Sequence, residues 1–314
     1  MKAYRGTRAW LALVLSMLLV AAGATAGSAS SGHHGGHDKH GDKLSKNEIS
    51  VQLWTFSSYI GFGSEPENQQ RLEETLAGLS EIGYRNVEPY DFNGLTAREF
   101  KALLRKYDLR APSRHGDTNE ATWDTHLADA KVLNQKYTGS GGFPAPGIDS
   151  YEDTLATAET MNRLGKRSVR NGTGKIFGHN HQGEFRTMYE DPETGELKSA
   201  WQILVENTNP KYVAFQVDTM WAADGGADPA QLLRKYPKRI QLLHIKDGIN
   251  IADPADATPV PMGEGEMEFK PILRAAEKAK VKYYVYEQDP PDDPTYDPFA
   301  SAQAGWDYLS TVRF

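Results

Sequence analysis

The chain has 314 residues, a formal net charge of −7 and no cysteine, so it contains neither disulfide bonds nor a reactive thiol. Acidic and basic residues are mixed along the sequence without a basic block. An acidic protein repels nucleic-acid phosphates, which argues against a nucleic-acid partner. The length suits one large α/β domain once a short N-terminal region is set aside.

Residues 1–26 have the three parts of a secretory signal peptide. Basic residues precede an apolar run at 10–22, and the small-residue cleavage motif Ala24-Thr25-Ala26 follows it. A membrane anchor is the alternative, but this run is shorter than the roughly 20 residues that a span requires. We therefore predict cleavage, a secreted or periplasmic protein, and no membrane attachment of the mature chain.

Residues 27–47 are rich in Gly, Ser, His and charged residues and offer little apolar surface to bury. This composition predicts a disordered linker, followed by a folded domain at 48–314. Four histidines in the linker would bind transition metals weakly, although a solvated tether is the favoured role: His33, His34, His37 and His40.

Short apolar runs then alternate with amphipathic segments through the rest of the chain. Predicted strands cover 49–56, 84–90, 109–117, 136–143, 175–181, 212–221, 239–248 and 281–289. Predicted helices cover 65–83, 96–108, 121–135, 150–171, 199–207, 228–237, 268–280 and 300–312. Thr96 and Glu99 form a capping-box pattern at the start of the second helix.

Eight strand–helix pairs predict a single-domain (β/α)8 TIM barrel with parallel strands. An open doubly wound sheet is the alternative fold. It is disfavoured because no Gly-x-Gly-x-x-Gly motif follows the first predicted strand.

Nearly every predicted strand finishes on an ionisable residue. In a barrel these strand ends meet at one rim, where loops build active sites. Unpaired buried charges cost several kcal/mol each, and a shared cation would offset that cost. The residues are Glu88, His115, His179, His181, Asp218, His244, Lys246 and Glu287.

The stretch "KIFGHNHQGEF" places two imidazoles on the same face of a strand as Phe177, because strand side chains alternate. Taken alone, His179 or His181 is explained equally well as a hydrogen-bonded core residue and as a functional residue. Together with three residues from later strands, however, they predict a metal site, and the proposed ligands are His179, Asp218, His244 and Glu287. This mixed set suits one divalent ion, and the sequence does not choose among Mn, Zn, Fe, Co and Mg.

Several stretches resemble the xylose isomerase-like TIM barrel superfamily, in particular its sugar phosphate isomerase/epimerase members. They are "IGYRNVEPY", "FGHNHQGEF", "QVDTMWAADGGADP", "LLHIKDG", "GEGEMEFKPIL" and "VYEQD". The resemblance implies one divalent metal held by Glu, Asp, His and Glu from four strand ends. Asp218, His244 and Glu287 match the last three positions, and His179 stands where many relatives have Glu.

The resemblance also implies a metal-dependent isomerase or epimerase, and the predicted signal peptide makes it an exported one. It would act on a keto-sugar, a cyclitol or an oxidised glycoside through an enediolate that the metal stabilises. Candidate catalytic residues are Glu287, His181, Lys246 and Glu88, with Glu184 as a further possible base. Because His179 departs from the family pattern, a standard two-glutamate epimerisation is in doubt. A lyase or dehydratase of the same superfamily is therefore an alternative.

Other interpretations stay open for single features. The barrel would alternatively bind sugars without catalysis, and Lys246 would alternatively pair with Asp247 or another acid near the rim. Trp54, Phe56 and Trp221 would stack on a sugar ring or simply pack in the core. The glycines at 263–269 are more typical of a turn than of a phosphate cradle, because the Lys and Ser/Thr of a nucleotide loop are missing.

Two further enzyme classes are disfavoured. A trinuclear-zinc endonuclease needs more ligands than the five histidines outside the linker provide, one of which, His126, lies within a predicted helix. A glycosidase built on Glu88 and Glu287 would leave the histidine and aspartate cluster without a purpose. We expect a small carbohydrate as the substrate and make no prediction of oligomeric state.

Overall fold

The computed structural model describes residues 42–251, 253 and 256–314. The predicted signal peptide and the four linker histidines lie outside these residues. Residues 42–47, which the sequence predicts to be the end of the linker, instead pack on the barrel. Leu44 is buried, and Asp42 and Phe314 exchange two backbone hydrogen bonds of 2.9 and 3.2 Å. Within the described residues, no helix is both long enough and apolar enough to cross a membrane.

Seven parallel strands form one sheet, which confirms the predicted fold class. The strands are β1 Ile49–Gln52, β2 Val87–Glu88, β3 Tyr137–Gly139, β4 Lys175–His179, β5 Val213–Asp218, β6 Ile240–Ile245 and β7 Tyr283–Tyr286. Their spatial order is β2-β1-β7-β6-β5-β4-β3.

The predicted third strand, 109–117, is wrong as a regular strand, although the chain follows the expected path between β2 and β3. The carbonyl of Arg110 accepts an N–H from β2 at 2.8 Å, and His115 forms an isolated bridge to Gly139 in β3. Pro112, in the middle of the segment, has no N–H to donate to a ladder. The segment therefore links the two edge strands without a continuous set of strand hydrogen bonds.

In the part of the chain that the structure describes, all eight predicted helices are present, and three short helices accompany them. The helices are α1 Ser57–Ile60, α2 Pro66–Ile82, α3 Ala97–Lys106, α4 Trp123–Leu133, α5 Tyr151–Asn171, α6 Gly183–Arg186, α7 Ala200–Asn207, α8 Thr219–Asp224, α9 Pro229–Lys235, α10 Phe269–Ala279 and α11 Pro298–Thr311. The capping box at Thr96 and Glu99 is confirmed at the start of α3.

Several predicted strands end early because helices begin at the barrel rim. The predicted strand 49–56 stops at Gln52, whose side chain accepts the Trp54 N–H at 3.2 Å and caps the 3-10 helix Leu53–Phe56. Two hairpins were not predicted: Met188–Glu190 with Leu197–Ser199, and Asp247–Ile249 with Thr258–Val260.

The inside of the barrel is layered, because inward side chains recur every second residue along a strand. The lowest layer is apolar and contains Tyr137, Phe177, Ala214, Leu242 and Tyr283. In three of these strands, the next inward position along the chain is occupied by His179, Gln216 and His244. The inward position after that is occupied by His181, Asp218 and Lys246. Polarity thus rises toward the carboxyl ends of the strands. A second, larger apolar core contains residues of both the sheet and the surrounding helices.

Candidate active site

The four predicted metal ligands meet at the carboxyl ends of neighbouring strands. Each of His179, Asp218, His244 and Glu287 offers one ligand atom, and these atoms all lie within 4.8 Å of one another. All four residues are buried. The strand register explains the meeting, because Asp218 in β5 is paired with His244 in β6.

His244 lies at the centre of the cluster between two carboxylates. Its Nδ1 is 2.8 Å from Glu287 Oε2, and its Nε2 is 2.7 Å from Glu88 Oε1. Burial lowers the pKa of His244, but the two carboxylates outweigh burial and raise the pKa to about 10. Two buried acids thus hold a proton on this ring.

Glu88 lies beneath the site rather than in its wall. It is fully buried, and its carboxylate accepts hydrogen bonds from Gln52 Nε2 at 2.9 Å and Gln216 Nε2 at 2.9 Å, besides the contact with His244. His115 Nε2 also lies 3.1 Å from Glu88 Oε1. Burial raises the pKa of Glu88, yet the adjacent imidazoles reverse the effect and bring the pKa well below its usual value. Glu88 therefore acts on the site through its neighbours.

Gln216, which the sequence analysis missed, sets the orientation of His179. Its Oε1 accepts from His179 Nδ1 at 3.1 Å, while its amide group donates to Glu88. With the proton on Nδ1, the Nε2 of His179 carries the free lone pair. Burial, followed by the nearby imidazoles, lowers the pKa of His179 well below its usual value, which favours the neutral ring. The inward position of Gln216, two residues before Asp218, was the available signal.

Lys246 places a buried ammonium among three carboxylates. Its Nζ lies 3.1 Å from Asp218 Oδ2, 2.9 Å from Glu287 Oε2 and 2.8 Å from Asp289 Oδ2. Burial lowers the pKa of Lys246, but the carboxylates raise it well above its usual value overall. Asp289, which the sequence analysis did not name as a site residue, therefore lies at the edge of the site.

Asp247 is not the partner of Lys246. Its carboxylate accepts backbone N–H groups from Gly263 at 2.9 Å, Gly265 at 3.1 Å and Met267 at 3.2 Å. A Cβ at Gly265 would lie 2.0 Å from Asp247 Oδ1, so glycine is required by close approach. The two glycine amides already bind a carboxylate, and the loop is the turn that the sequence favoured over a phosphate cradle.

A cavity of about 350 Å³ opens above the cluster. Its wall includes His181, Lys246, Glu287 and Asp289 together with Trp54, Tyr90, His115, Gly141 and His179. His181 is exposed, and its backbone N–H donates to Glu184 Oε2 at 2.9 Å. Among the aromatics predicted to stack or pack, Trp54 lines the cavity and Phe56 is buried in the core. Trp221 lies with its ring centroid 5.5 Å from Lys246 Nζ.

The chemistry of the cluster fits a divalent cation. Asp218 Oδ1 accepts the Trp221 N–H at 2.9 Å and caps α8, whereas the buried Oδ2 accepts no hydrogen bond from the described residues and meets only the ion-pair contact with Lys246. Two imidazoles and two carboxylates are a donor set that first-row divalent ions accept. Glu88 and Gln216 hydrogen-bond the imidazoles in the way that outer partners of metal-bound histidines do.

Comparison with known proteins agrees with this architecture. A model of the family described as "Xylose isomerase-like TIM barrel" matches residues 76–309. Inosose dehydratase of Clostridium tetani is 27% identical over 284 residues, covering 79% of this chain and 91% of the relative. Inosose dehydratase of Geobacillus thermodenitrificans is 26% identical over 233 residues, covering 68% and 70%. A sugar phosphate isomerase/epimerase structure from Parabacteroides distasonis superposes with a TM-score of 0.69 at 21% identity, covering 84% and 97%.

Proposed function

The chain belongs to the xylose isomerase-like TIM barrel family, and on that premise we propose that it is a divalent-metal-dependent lyase that eliminates water from a cyclic polyhydroxy ketone. One observation carries the proposal: four potential ligand atoms converge within 4.8 Å in the floor of a cavity whose wall bears further acid–base groups. The similarity to inosose dehydratases over most of the chain supports elimination as the reaction class.

His179, Asp218, His244 and Glu287 would hold the ion, and binding would release the proton that the two acids hold on His244. A bound divalent cation polarises a carbonyl oxygen and so acidifies the neighbouring C–H bond. Glu88 and Gln216 fix which nitrogen of each imidazole faces the cluster. We assign Glu88 a positioning role, because its buried carboxylate does not reach the cavity.

Two groups approach the cavity from separate strands. His181 follows β4, whereas Asp289 follows β7, and β5 and β6 lie between these strands. In the proposed reaction His181 takes the proton from the carbon next to the carbonyl. The electron pair forms a C=C bond, the C–O bond of the next carbon breaks, and Asp289, which burial favours in its protonated form by raising its pKa, gives its own proton to the departing oxygen. Lys246 donates hydrogen bonds to the oxygen that gains charge.

Epimerisation is less favoured, because His179 replaces the glutamate that would complete an acid–base pair across one carbon. A metal-free variant is the second candidate, since the Lys246 ammonium already lies between Asp218 and Glu287. For both the metal-dependent and the metal-free version, we also propose that the protein is exported, as residues 1–26 predict.

The test combines metal content with turnover. We expect one bound divalent ion per chain by elemental analysis and chelator-sensitive formation of an enone from an inosose, followed by ultraviolet absorbance. Asp218→Asn should lose both, whereas Glu193→Gln, an exposed carboxylate in the 190–197 hairpin turn, should keep both.

Turnover that persists in metal-free protein would contradict the metal-dependent version. It would support the second candidate, in which the Lys246 ammonium takes the place of the ion. Binding of keto-sugars without hydrogen exchange or elimination, in a panel supplied with several metals, would instead support the sugar-binding alternative.

A further inference from the structure

Three aromatic side chains that the proposed chemistry does not use gather on one side of the cavity. Trp54, Phe62 and Tyr90 contact one another, with ring centroids 5.2 Å apart for Trp54 and Tyr90, 5.9 Å for Trp54 and Phe62, and 6.0 Å for Phe62 and Tyr90. Trp54 and Tyr90 also line the cavity. We call these three residues the aromatic platform.

The platform is apolar surface left open to solvent. Trp54 is 37% exposed and Phe62 is 60% exposed, and they are two of the five large hydrophobic residues that are exposed in the described part of the chain. Scattered exposed hydrophobics need no explanation, but contiguous ones beside a polar cavity are typical of ligand-binding surfaces. The cavity therefore continues from the acid–base groups onto aromatic faces.

The exposure of Phe62 is built into the fold. Its carbonyl accepts a hydrogen bond from Asn68 Nδ2 at 2.7 Å, and Nδ2 of the buried Asn93 donates to the carbonyls of Gly61 and Gly63 at 3.1 and 3.3 Å. Both glycines have positive φ, of 79° and 94°, which side-chain-bearing residues rarely adopt. The turn thus presents the ring in a fixed place, which lowers the entropy cost of binding a ligand there.

Tyr90 adds an unused polar group to the platform. Its hydroxyl is buried and has no hydrogen-bond partner among the described residues. Burial raises the pKa of Tyr90 to about 12, so the phenol is neutral and able to donate. A buried hydroxyl without a partner is costly unless a ligand or water satisfies it.

We propose that Trp54, Phe62 and Tyr90 form a subsite for a second ring carried by the substrate, which makes the substrate a glycoside. The inference rests on the proposed function and changes one part of it, because the leaving group is then an alcohol that carries the second ring rather than water. The elimination follows the same steps as in the proposed function. The base takes the proton from the carbon next to the carbonyl, a C=C bond forms, and the C–O bond to the second ring breaks. The ring departs as an alcohol after its oxygen receives a proton. Aryl rings and sugar rings share the flat face that an aromatic platform binds.

Ligand-observed NMR titration of three unreactive probes tests this subsite without turnover. Methyl β-glucoside carries one ring, whereas phenyl β-glucoside and cellobiose carry two. We expect at least one two-ring probe to bind the wild type about 3- to 10-fold more tightly than methyl β-glucoside, the range for one aromatic contact. Phe62→Ala and Trp54→Ala should remove that preference, and Leu197→Ala, an equally exposed apolar residue on the 188–199 hairpin, should keep it.

Each result bears on the proposal. Preference for phenyl β-glucoside alone identifies an aryl group, and preference for cellobiose alone identifies a sugar. Equal affinity for all three probes, no binding of either two-ring probe at millimolar concentration, or a preference that survives Phe62→Ala overturns the subsite. Phe62 is largely exposed, so this variant should fold, which circular dichroism checks. If the probe preference holds but no ketone is turned over, the subsite stands and the proposed function fails.

Discussion

Two buried histidines show how differently the barrel rim and its outer layer treat the same side chain. His244, at the end of β6, contacts two carboxylates and has a pKa raised to about 10. His126, in α4, stacks on Trp123 with ring planes 7° apart, and its Nε2 has no hydrogen-bond partner among the described residues. Burial, with the added effect of Arg114, lowers the pKa of His126 to about 4, against a smaller opposing effect of Asp117.

The difference shows that partners, rather than burial, decide the charge of an interior group. Burial opposes charge on both rings, but only His244 has acids close enough to reverse the effect. Charge inside this protein is therefore concentrated where several strand ends contribute partners at once. A buried imidazole on its own would have been poor support for a functional site.

Removing a partner of His244 should have the largest effect on stability. Glu88→Ala leaves Gln52, Gln216 and His244 without their shared acceptor, and breaking such a buried charge network costs about 3 to 5 kcal/mol. Urea unfolding measures the loss. Metal affinity should fall about 10- to 100-fold, as for other outer-shell changes. An unchanged free energy of unfolding would show that the His244 imidazole, and not the Glu88 carboxylate, organises this polar layer of the barrel.

His126 should produce the next largest effect, and it should depend on pH. Its folded pKa, about 4, lies below the usual value of 6.5, so the unfolded chain takes up the proton first as pH falls. The stability contributed is complete above about pH 6.5 and is lost toward about pH 4, amounting to about 2 kcal/mol between about pH 7.5 and about pH 4.5. His126→Phe keeps the stacking and should remove this slope.

The difference between wild type and His126→Phe isolates this one group from the acids of the site, which titrate in both proteins. Parallel stability curves over that pH interval would contradict a neutral, unpartnered His126.

A partly exposed carboxylate provides the smallest effect and the matched control for Glu88. Glu73 pairs with Lys106 at 2.5 Å and with the Tyr107 hydroxyl at 2.8 Å, and its side chain is 36% exposed, whereas Glu88 is fully buried. Glu73→Ala should cost less than about 1 kcal/mol, because water replaces the lost partners. The same urea titration measures it. A loss as large as that of Glu88→Ala would erase the distinction between the two environments.

The sequence predicted the main parts of the site because two simple rules act together. Parallel strands end at one rim, and inward side chains recur every second residue, so Asp218, His244 and Glu287 were expected to meet. Their proximity follows from the structure, and their role as metal ligands stays a prediction. The helices were also predictable, since their apolar spacing extends over several turns.

Other parts of the site needed three-dimensional information. Gln216 is a neutral amide between apolar residues. Strand alternation places it on the inward face, but only the structure shows that it orients an imidazole. Asp289 begins an acidic stretch, "DPPDDP", in which every carboxylate looks alike from sequence. The break at Pro112 was visible as a residue type, but only the structure shows that neighbouring bridges suffice to complete the barrel.

Residues 109–117 form backbone hydrogen bonds to both neighbouring segments, but at separated positions rather than in a continuous ladder, and this interrupted stretch is a seam in the barrel wall. Local opening of a protein starts where few backbone bonds must break, so amide hydrogen exchange should be faster along this seam and β3 than in β5 and β6. His115 lies on the seam, and its ring is 2.6 Å from Gln216 Oε1. Local opening of the barrel wall at this seam would thus disturb the layer that orients the histidines, while β5 and β6, which carry Asp218 and His244, stay paired.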